Sequence, residues 1–197
     1  MRSGTYYFAY GSNMHAARIV ARVPGARPVE SARLMAHVLS FNKRGRDGSG
    51  KCSVSPHAGR QVAGVLYRTD APGLRHLDRV EGPGYRRNAV VVTGIRSGIT
   101  YRAYCYVAKE CAIDVNGVAY EWYRDMVVAG AASGGLPVAY VEWLRSFPAR
   151  SDPNRRRHRQ QMSSLAPDPA RKRRAAGAPF PGAPHIGCMA SMSRRLT

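Results

Sequence analysis

Acidic residues are scarce in this chain of 197: 12 Asp and Glu stand against 31 Lys and Arg, for a formal net charge of +19. Such a molecule attracts acidic small molecules and adsorbs to polyanions, which governs what it meets and not what it does. Cysteine is sparse too. Cys52, Cys105, Cys111 and Cys188 form no Cys-x-x-Cys pair and no zinc-type spacing with histidine, which excludes a zinc module and makes a reducing cytoplasm the simplest setting. No apolar run approaches the roughly 18 residues of a membrane span. The N-terminal aromatic run is too short, and too polar at Asn13 and His15, for the core of a signal peptide. No segment repeats.

What is present divides unevenly. From residue 149 onward the chain holds 11 basic residues and 2 acidic ones, about half of the whole excess. Its arginine clusters, at 150–159 and 171–174, are separated and followed by Pro, Ala, Gly and Ser, with too few large apolar residues to order themselves. The expectation is a domain over 1–148 and a disordered basic tail over 149–197. That tail lacks the interleaved aromatics of specific nucleic-acid readers, so its expected contact with polyanions is nonspecific.

Within the domain, residues 6–10 form a short apolar run that stops at Gly11-Ser12-Asn13, and residues 14–22 carry helical spacing closed by Pro24-Gly25. Residues 26–43 read as extended, and the glycine-rich stretch 44–50 as a loop. A strand is expected over 61–68, with Gly64 in its middle marking a close approach of another backbone or a ligand. Asp70 as N-cap and Pro72 in the first turn start a helix striped by Leu74, Leu77 and Val80, and Gly82 ends it. Residues 85–95 and 99–107 form a hairpin about Ser97-Gly98. Helices are expected over 118–131 and from Pro137 through Leu144. This order of about six strands and three or four helices predicts an α+β fold, a small and mostly antiparallel β-barrel with flanking helices.

Several groups could carry chemistry. The turn Gly11-Ser12-Asn13 leads from a strand into a helix and leaves amide N–H groups available to an anion or a developing oxyanion; taken alone it also reads as an ordinary turn with Ser12 or Asn13 as N-cap. Glu81 lies at the C-terminal end of a helix, where the helix dipole disfavours a carboxylate, so either solvent or a partner must compensate it. Tyr10, Tyr85, Tyr104, Tyr106, Tyr120 and Tyr123 occupy positions that face inward, and buried phenols need partners. Ser12 as a hydrolase nucleophile is disfavoured, because its context is not Gly-x-Ser-x-Gly and no histidine is patterned with an acid. Asp78 and Glu81 share a helix face with no His or Cys beside them, which argues against a metal.

The run Tyr7-Phe8-Ala9-Tyr10-Gly11-Ser12-Asn13-Met14, followed by Leu77-Asp78-Arg79-Val80-Glu81-Gly82 with Tyr85, and then by Gly130-Ala131, Gly135-Leu136-Pro137 and Tyr140, resembles the gamma-glutamylcyclotransferase family. The resemblance covers residues 6–144. It implies a small barrel with flanking helices, in agreement with the strand count. It also implies a cytoplasmic enzyme that needs no metal or organic cofactor and acts on a small gamma-glutamyl substrate to give 5-oxoproline. Carried over by motif, Glu81 is the catalytic acid/base, and Gly11, Ser12 and Asn13 bind the gamma-glutamyl group largely through backbone atoms. Tyr10, Tyr85 and Tyr123 supply ring and hydroxyl contacts. The glutathione-specific branch resembles Tyr-Gly-Ser-Leu and the gamma-glutamylamine branch Tyr-Gly-Thr-Leu, so Asn13 points to the gamma-glutamyl amino acid branch. The arginine-rich tail has no counterpart in the pattern. The competing expectation is a non-catalytic module of the same fold whose tail adheres to nucleic acid.

Overall fold

A computed structural model describes residues 4–163. The first apolar run forms β1 (Thr5–Ala9), a 3-10 turn follows at Ser12–Met14, and α1 (Ala16–Arg22) comes after it. Two long strands, β2 (Arg27–Arg44) and β3 (Gly50–Thr69), pair antiparallel about the glycine-rich loop. Next come α2 (Ala71–Glu81), β4 (Tyr85–Gly94) and β5 (Thr100–Ala108). The five strands close into a barrel in the order β1-β3-β2-β4-β5, sealed where β5 meets β1 in parallel at Tyr7 and Tyr104. All other neighbouring pairs are antiparallel. The helices α3 (Glu121–Ser133) and α4 (Val138–Arg145) flank it, giving the expected α+β barrel.

The local signals act as their chemistry requires. The Asp70 carboxylate accepts from the Gly73 amide at 2.8 Å, which caps α2, and Gly82 leaves the helix at φ 73°. Leu74 and Leu77 are buried, whereas Val80, expected on the same stripe, is exposed. β4 and β5 form the hairpin, with Gly98 at φ 68° in its turn. The first half of β3 is a departure, since the expected strand began only at residue 61. Pro56 and Gly59 weaken the strand signal there, and the register slips beside them, with Met35 opposite Gln61 but His37 opposite Pro56. Ala36, at φ 54°, turns β2 through the same irregularity.

Two close approaches hold the turn at residues 11–14 in place. A Cβ on Gly64 would lie 2.3 Å from the Ala9 carbonyl oxygen, and one on Gly130 would lie 2.6 Å from the His15 nitrogen. The first glycine lets β3 pass under the end of β1, and the second lets α3 lie against the chain just after the turn. Gly64→Ala should therefore lower stability by about 1–3 kcal/mol, through overpacking against backbone that cannot swing aside. Differential scanning fluorimetry would read this as a lowered midpoint, and an unchanged midpoint would contradict the contact.

Ordered elements continue past residue 148, the expected domain boundary. β7 (Ala149–Arg150) pairs in parallel with β6 (Ala119–Tyr120), and α5 (Arg155–Ser163) follows. No residue of α5 is buried, so apolar composition could not reveal its anchorage. The anchor is polar. The buried Asp152 carboxylate accepts from Arg157 Nε at 2.6 Å and Nη2 at 2.5 Å, from the Trp122 indole at 2.8 Å and from the Asn154 amide at 2.8 Å. Arg150 and Arg157 also lie over the Tyr120 ring, at 5.4 and 5.3 Å. The rest of the expected tail, residues 164–197, lies outside the described residues.

The Arg157 hydrogen bonds hold the Asp152 carboxyl down at about 2. A depressed folded-state value stabilises above the ordinary carboxylate range and is lost as pH falls through the folded value. Between about pH 4 and pH 2 the 149–163 segment should release from the body, read by tryptophan emission as Trp122 loses its partner. Asp152→Asn should abolish that transition.

Candidate active site

Each element delivers one part of a small cavity. The end of β1 and the following turn bring Tyr10, Gly11, Ser12 and Asn13; the C-terminus of α2 brings Glu81; the start of β4 brings Tyr85; and the first turn of α3 brings Tyr123. All seven expected site residues therefore face the same space, although 68 positions separate Asn13 from Glu81. Tyr7, Cys52 and Tyr106 complete the lining.

The turn sits deep in the protein, with Ser12 and Asn13 both buried. A Cβ on Gly11 would lie 3.1 Å from the Cys52 Cβ and 3.4 Å from the Tyr123 hydroxyl, so glycine lets the turn pack against β3 and α3. Within the turn the Met14 amide donates to the Gly11 carbonyl and the His15 amide to the Ser12 carbonyl, at 2.9 and 3.2 Å. Among the described residues, the amides of Ser12 and Asn13 have no acceptor. They are donors left over for a ligand, as the first N–H groups of a helical turn are.

The Asn13 side chain does more than the sequence indicated. Its Nδ2 donates to the Tyr7 hydroxyl and to Glu81 Oε1, each at 2.9 Å, while its Oδ1 accepts from Arg22 Nη1 at 2.9 Å. Arg22 Nη1 also meets Glu81 Oε1 at 3.1 Å. One carboxylate oxygen is thus held twice, whereas Oε2 accepts no hydrogen bond from any described residue. A carboxylate fixed by one oxygen and open at the other is arranged to exchange a proton.

The phenols divide by what occupies their hydroxyls. Tyr10 donates to the Tyr106 carbonyl, so its hydroxyl is committed to the fold and its ring lines the cavity. Tyr85 donates to the Cys52 carbonyl at 2.6 Å, and Tyr123 accepts from the Cys52 amide at 3.2 Å, so both hold β3 in position. Tyr106 donates to Asp78 Oδ1 at 2.9 Å. Burial, reinforced by the charge of Glu81, pushes the Tyr7 phenol well above its ordinary range; burial likewise raises Tyr10, Tyr85 and Tyr123. All four remain neutral near pH 7. Of the other tyrosines expected to face inward, Tyr104 lies beneath Arg87 at 5.1 Å and Tyr120 donates to the Asp47 carbonyl at 3.1 Å, both away from the cavity.

Sequence reasoning did not assign Tyr7, Arg22 or Cys52 to the site, and it singled out Tyr106 only as an inward-facing phenol. Tyr7 was in the motif, one alternation from Ala9, and its aromatic repeat was the available signal. Arg22 and Cys52 carry no local signal, since each reaches the site only through tertiary folding. Among the described residues, no group of three or more His, Cys, Asp or Glu could hold a metal ion. No helix of the described residues is long and apolar enough to cross a membrane.

A carboxylate open at one oxygen, beside a turn with unused amides and within a ring of neutral phenols, has the parts that general acid/base chemistry needs, and it stands on a closed barrel. The chain belongs to the family described as "Gamma-glutamyl cyclotransferase, AIG2-like", whose model matches residues 7–125. It is 30% identical over 150 residues to the gamma-glutamylcyclotransferase of Homo sapiens, covering 72% of this chain and 77% of the relative. The Mus musculus gamma-glutamylcyclotransferase is 32% identical over 152 residues, with the same coverage. A solved gamma-glutamyl cyclotransferase superposes with a TM-score of 0.69 at 26% identity, covering 75% of this chain and 90% of the other.

Burial pushes the Cys52 thiol up to about 12, so at pH 8 it is protonated and a poor nucleophile. Iodoacetamide at pH 8 should label the exposed Cys111 of the native protein and leave Cys52 unlabelled, as mapped by peptide mass spectrometry. Labelling of Cys52 at a comparable rate would overturn the assignment of an inert thiol.

Proposed function

We propose that the protein cyclises a gamma-glutamyl amide, releasing 5-oxoproline and the amino acid or amine to which the glutamyl group was joined. The observation that carries this reading is the Glu81 carboxylate, held at Oε1 by Asn13 and Arg22 and open at Oε2 beside a turn with unused amides.

The substrate carries its own nucleophile. Its α-amine reaches the γ-carbonyl carbon through a five-membered ring, so most of the enzyme's task is to hold the glutamyl chain folded. In the deprotonated amine, the nitrogen lone pair forms the new C–N bond while Glu81 takes a proton from that nitrogen. Collapse of the tetrahedral intermediate breaks the old C–N bond, and the proton on Glu81 passes to the departing nitrogen. The amides at Ser12 and Asn13 suit the substrate carboxylate or the oxyanion. Gly11 lets the glutamyl group approach the backbone, and Tyr10, Tyr85 and Tyr123 wall the space around it. Proton traffic begins and ends on one carboxylate, so the cycle as written uses no cofactor. The reading places the reaction in a reducing cytoplasm, where Cys52, Cys105 and Cys111 stay as thiols.

Glu81→Gln preserves the size of the side chain and removes the proton acceptor. Release of 5-oxoproline from gamma-glutamyl amino acids should fall by about a hundredfold to ten-thousandfold, with an unchanged circular dichroism spectrum. Turnover equal to the unsubstituted protein would overturn the assignment. The competing reading, a non-catalytic module, requires that no gamma-glutamyl amide be turned over by either form.

A further inference from the structure

Beyond Glu81 the cavity opens into a larger space of about 180 Å³, which it joins through Ser12, Glu81, Tyr85 and Tyr123. That space is open to whatever is joined to the γ-carbonyl of a substrate held in the cavity. Five cations line this outer space: Arg18 and Arg22 from α1, Lys43 from the end of β2, Arg46 from the following loop and Lys51 from the start of β3. Two of them have acidic partners. Arg22 pairs with Glu81, and Lys51 pairs with Asp47 at 2.7 Å while lying over the Trp122 and Tyr123 rings.

The other three have none among the described residues. Arg18 makes no ion pair, and its Nε is buried without a hydrogen-bond partner. Burial, with Arg22 as a like-charged neighbour, lowers the Arg18 guanidinium from its ordinary range. Lys43 is held over the Tyr85 ring at 4.9 Å, and burial lowers its ammonium as well. Arg46 reaches toward Gly82, the residue after Glu81, with its Nη2 3.2 Å from where a Cβ on that glycine would be. Arg46 is exposed, but Arg18 and Lys43 are partly buried and form no ion pair with a described residue, which is costly even though the charge of Glu81 favours both. A single α-carboxylate on the leaving amino acid would answer only one of the three.

We propose that this space is the leaving-group subsite and that its preferred occupant is an acidic amino acid or acidic peptide, carrying at least two carboxylates beyond the γ-amide bond. This inference rests on the cyclotransferase reading given above. Arg18, Lys43 and Arg46 would receive the α-carboxylate and the side-chain carboxylate of the leaving portion. Specificity of this kind is electrostatic, so it weakens as salt rises.

The test compares gamma-glutamyl-glutamate with gamma-glutamyl-glutamine, which have nearly the same shape and differ by one charge. At low ionic strength kcat/KM for 5-oxoproline release should favour the glutamate conjugate by about tenfold, and the margin should narrow in about 0.5 M NaCl. In a Lys43→Gln, Arg46→Gln double variant the preference should fall below about threefold, mainly through KM. Equal kcat/KM for the two conjugates, or a preference untouched by the double variant, would overturn the proposal. A second measurement separates this outcome from failure of the cyclotransferase reading. Isothermal titration of the Glu81→Gln protein with the same two conjugates reads charge preference without turnover. Tighter binding of the glutamate conjugate supports the subsite even if neither conjugate is cyclised, and equal binding refutes it.

Discussion

The hydrogen bond from Asn13 to Glu81 is the interaction on which the site depends. A carboxylate at a helix C-terminus faces the negative end of the helix dipole, and Glu81, the last residue of α2, is in that position. Asn13 and Arg22 offset the penalty by donating to the same oxygen. The bond also joins the two halves of the site, because among the described residues no other hydrogen bond runs directly from the end of α2 to the turn after β1. Asn13 can do this only if its own position is fixed. The fold fixes it from two sides, with Gly64 admitting the Ala9 carbonyl and Gly130 admitting the backbone at His15. The Tyr7 hydroxyl, on the last strand before the turn, holds the other hydrogen of the same amide nitrogen.

Charge imbalance gives the molecule a second organising theme. Acids are too few to pair every base, so aromatic faces and single buried carboxylates take over the work. Tyr120 receives two guanidinium groups, Trp122 and Tyr123 receive Lys51, and Asp152 gathers four donor atoms. The same shortage leaves Arg18, Lys43 and Arg46 without an ion pair among the described residues, at the mouth of the site. An excess that looks diffuse along the chain becomes a local field once the chain folds.

Much of the barrel was legible because its signals are short-range. The β4–β5 hairpin needs only two apolar runs and a Ser-Gly turn, and α2 needs only an aspartate before it and a glycine after it. The Tyr-Gly-Ser-Asn turn and the Glu-Gly step likewise stand out as local breaks in periodicity. The first half of β3 was not legible, since Pro56 and Gly59 weaken a strand pattern that long-range pairing with β2 nevertheless enforces. The segment 149–163 was hidden for a different reason. Its anchorage consists of guanidinium groups and one carboxylate, and composition reads such residues as solvated.

The sequence by itself determined which residues could carry the chemistry, because a glycine that permits a tight turn and a carboxylate at a helix end are properties of a few adjacent residues. It also determined the barrel class, through the count and order of strands. Only the tertiary structure decided that Asn13 works through its side chain, that Arg22 shares the Glu81 oxygen, and that the hydroxyls of Tyr10, Tyr85 and Tyr123 serve the backbone. The reason is distance along the chain. Each of these bonds joins segments that local periodicity cannot relate, and hydrogen-bond geometry is set to a few tenths of an ångström only when the barrel closes.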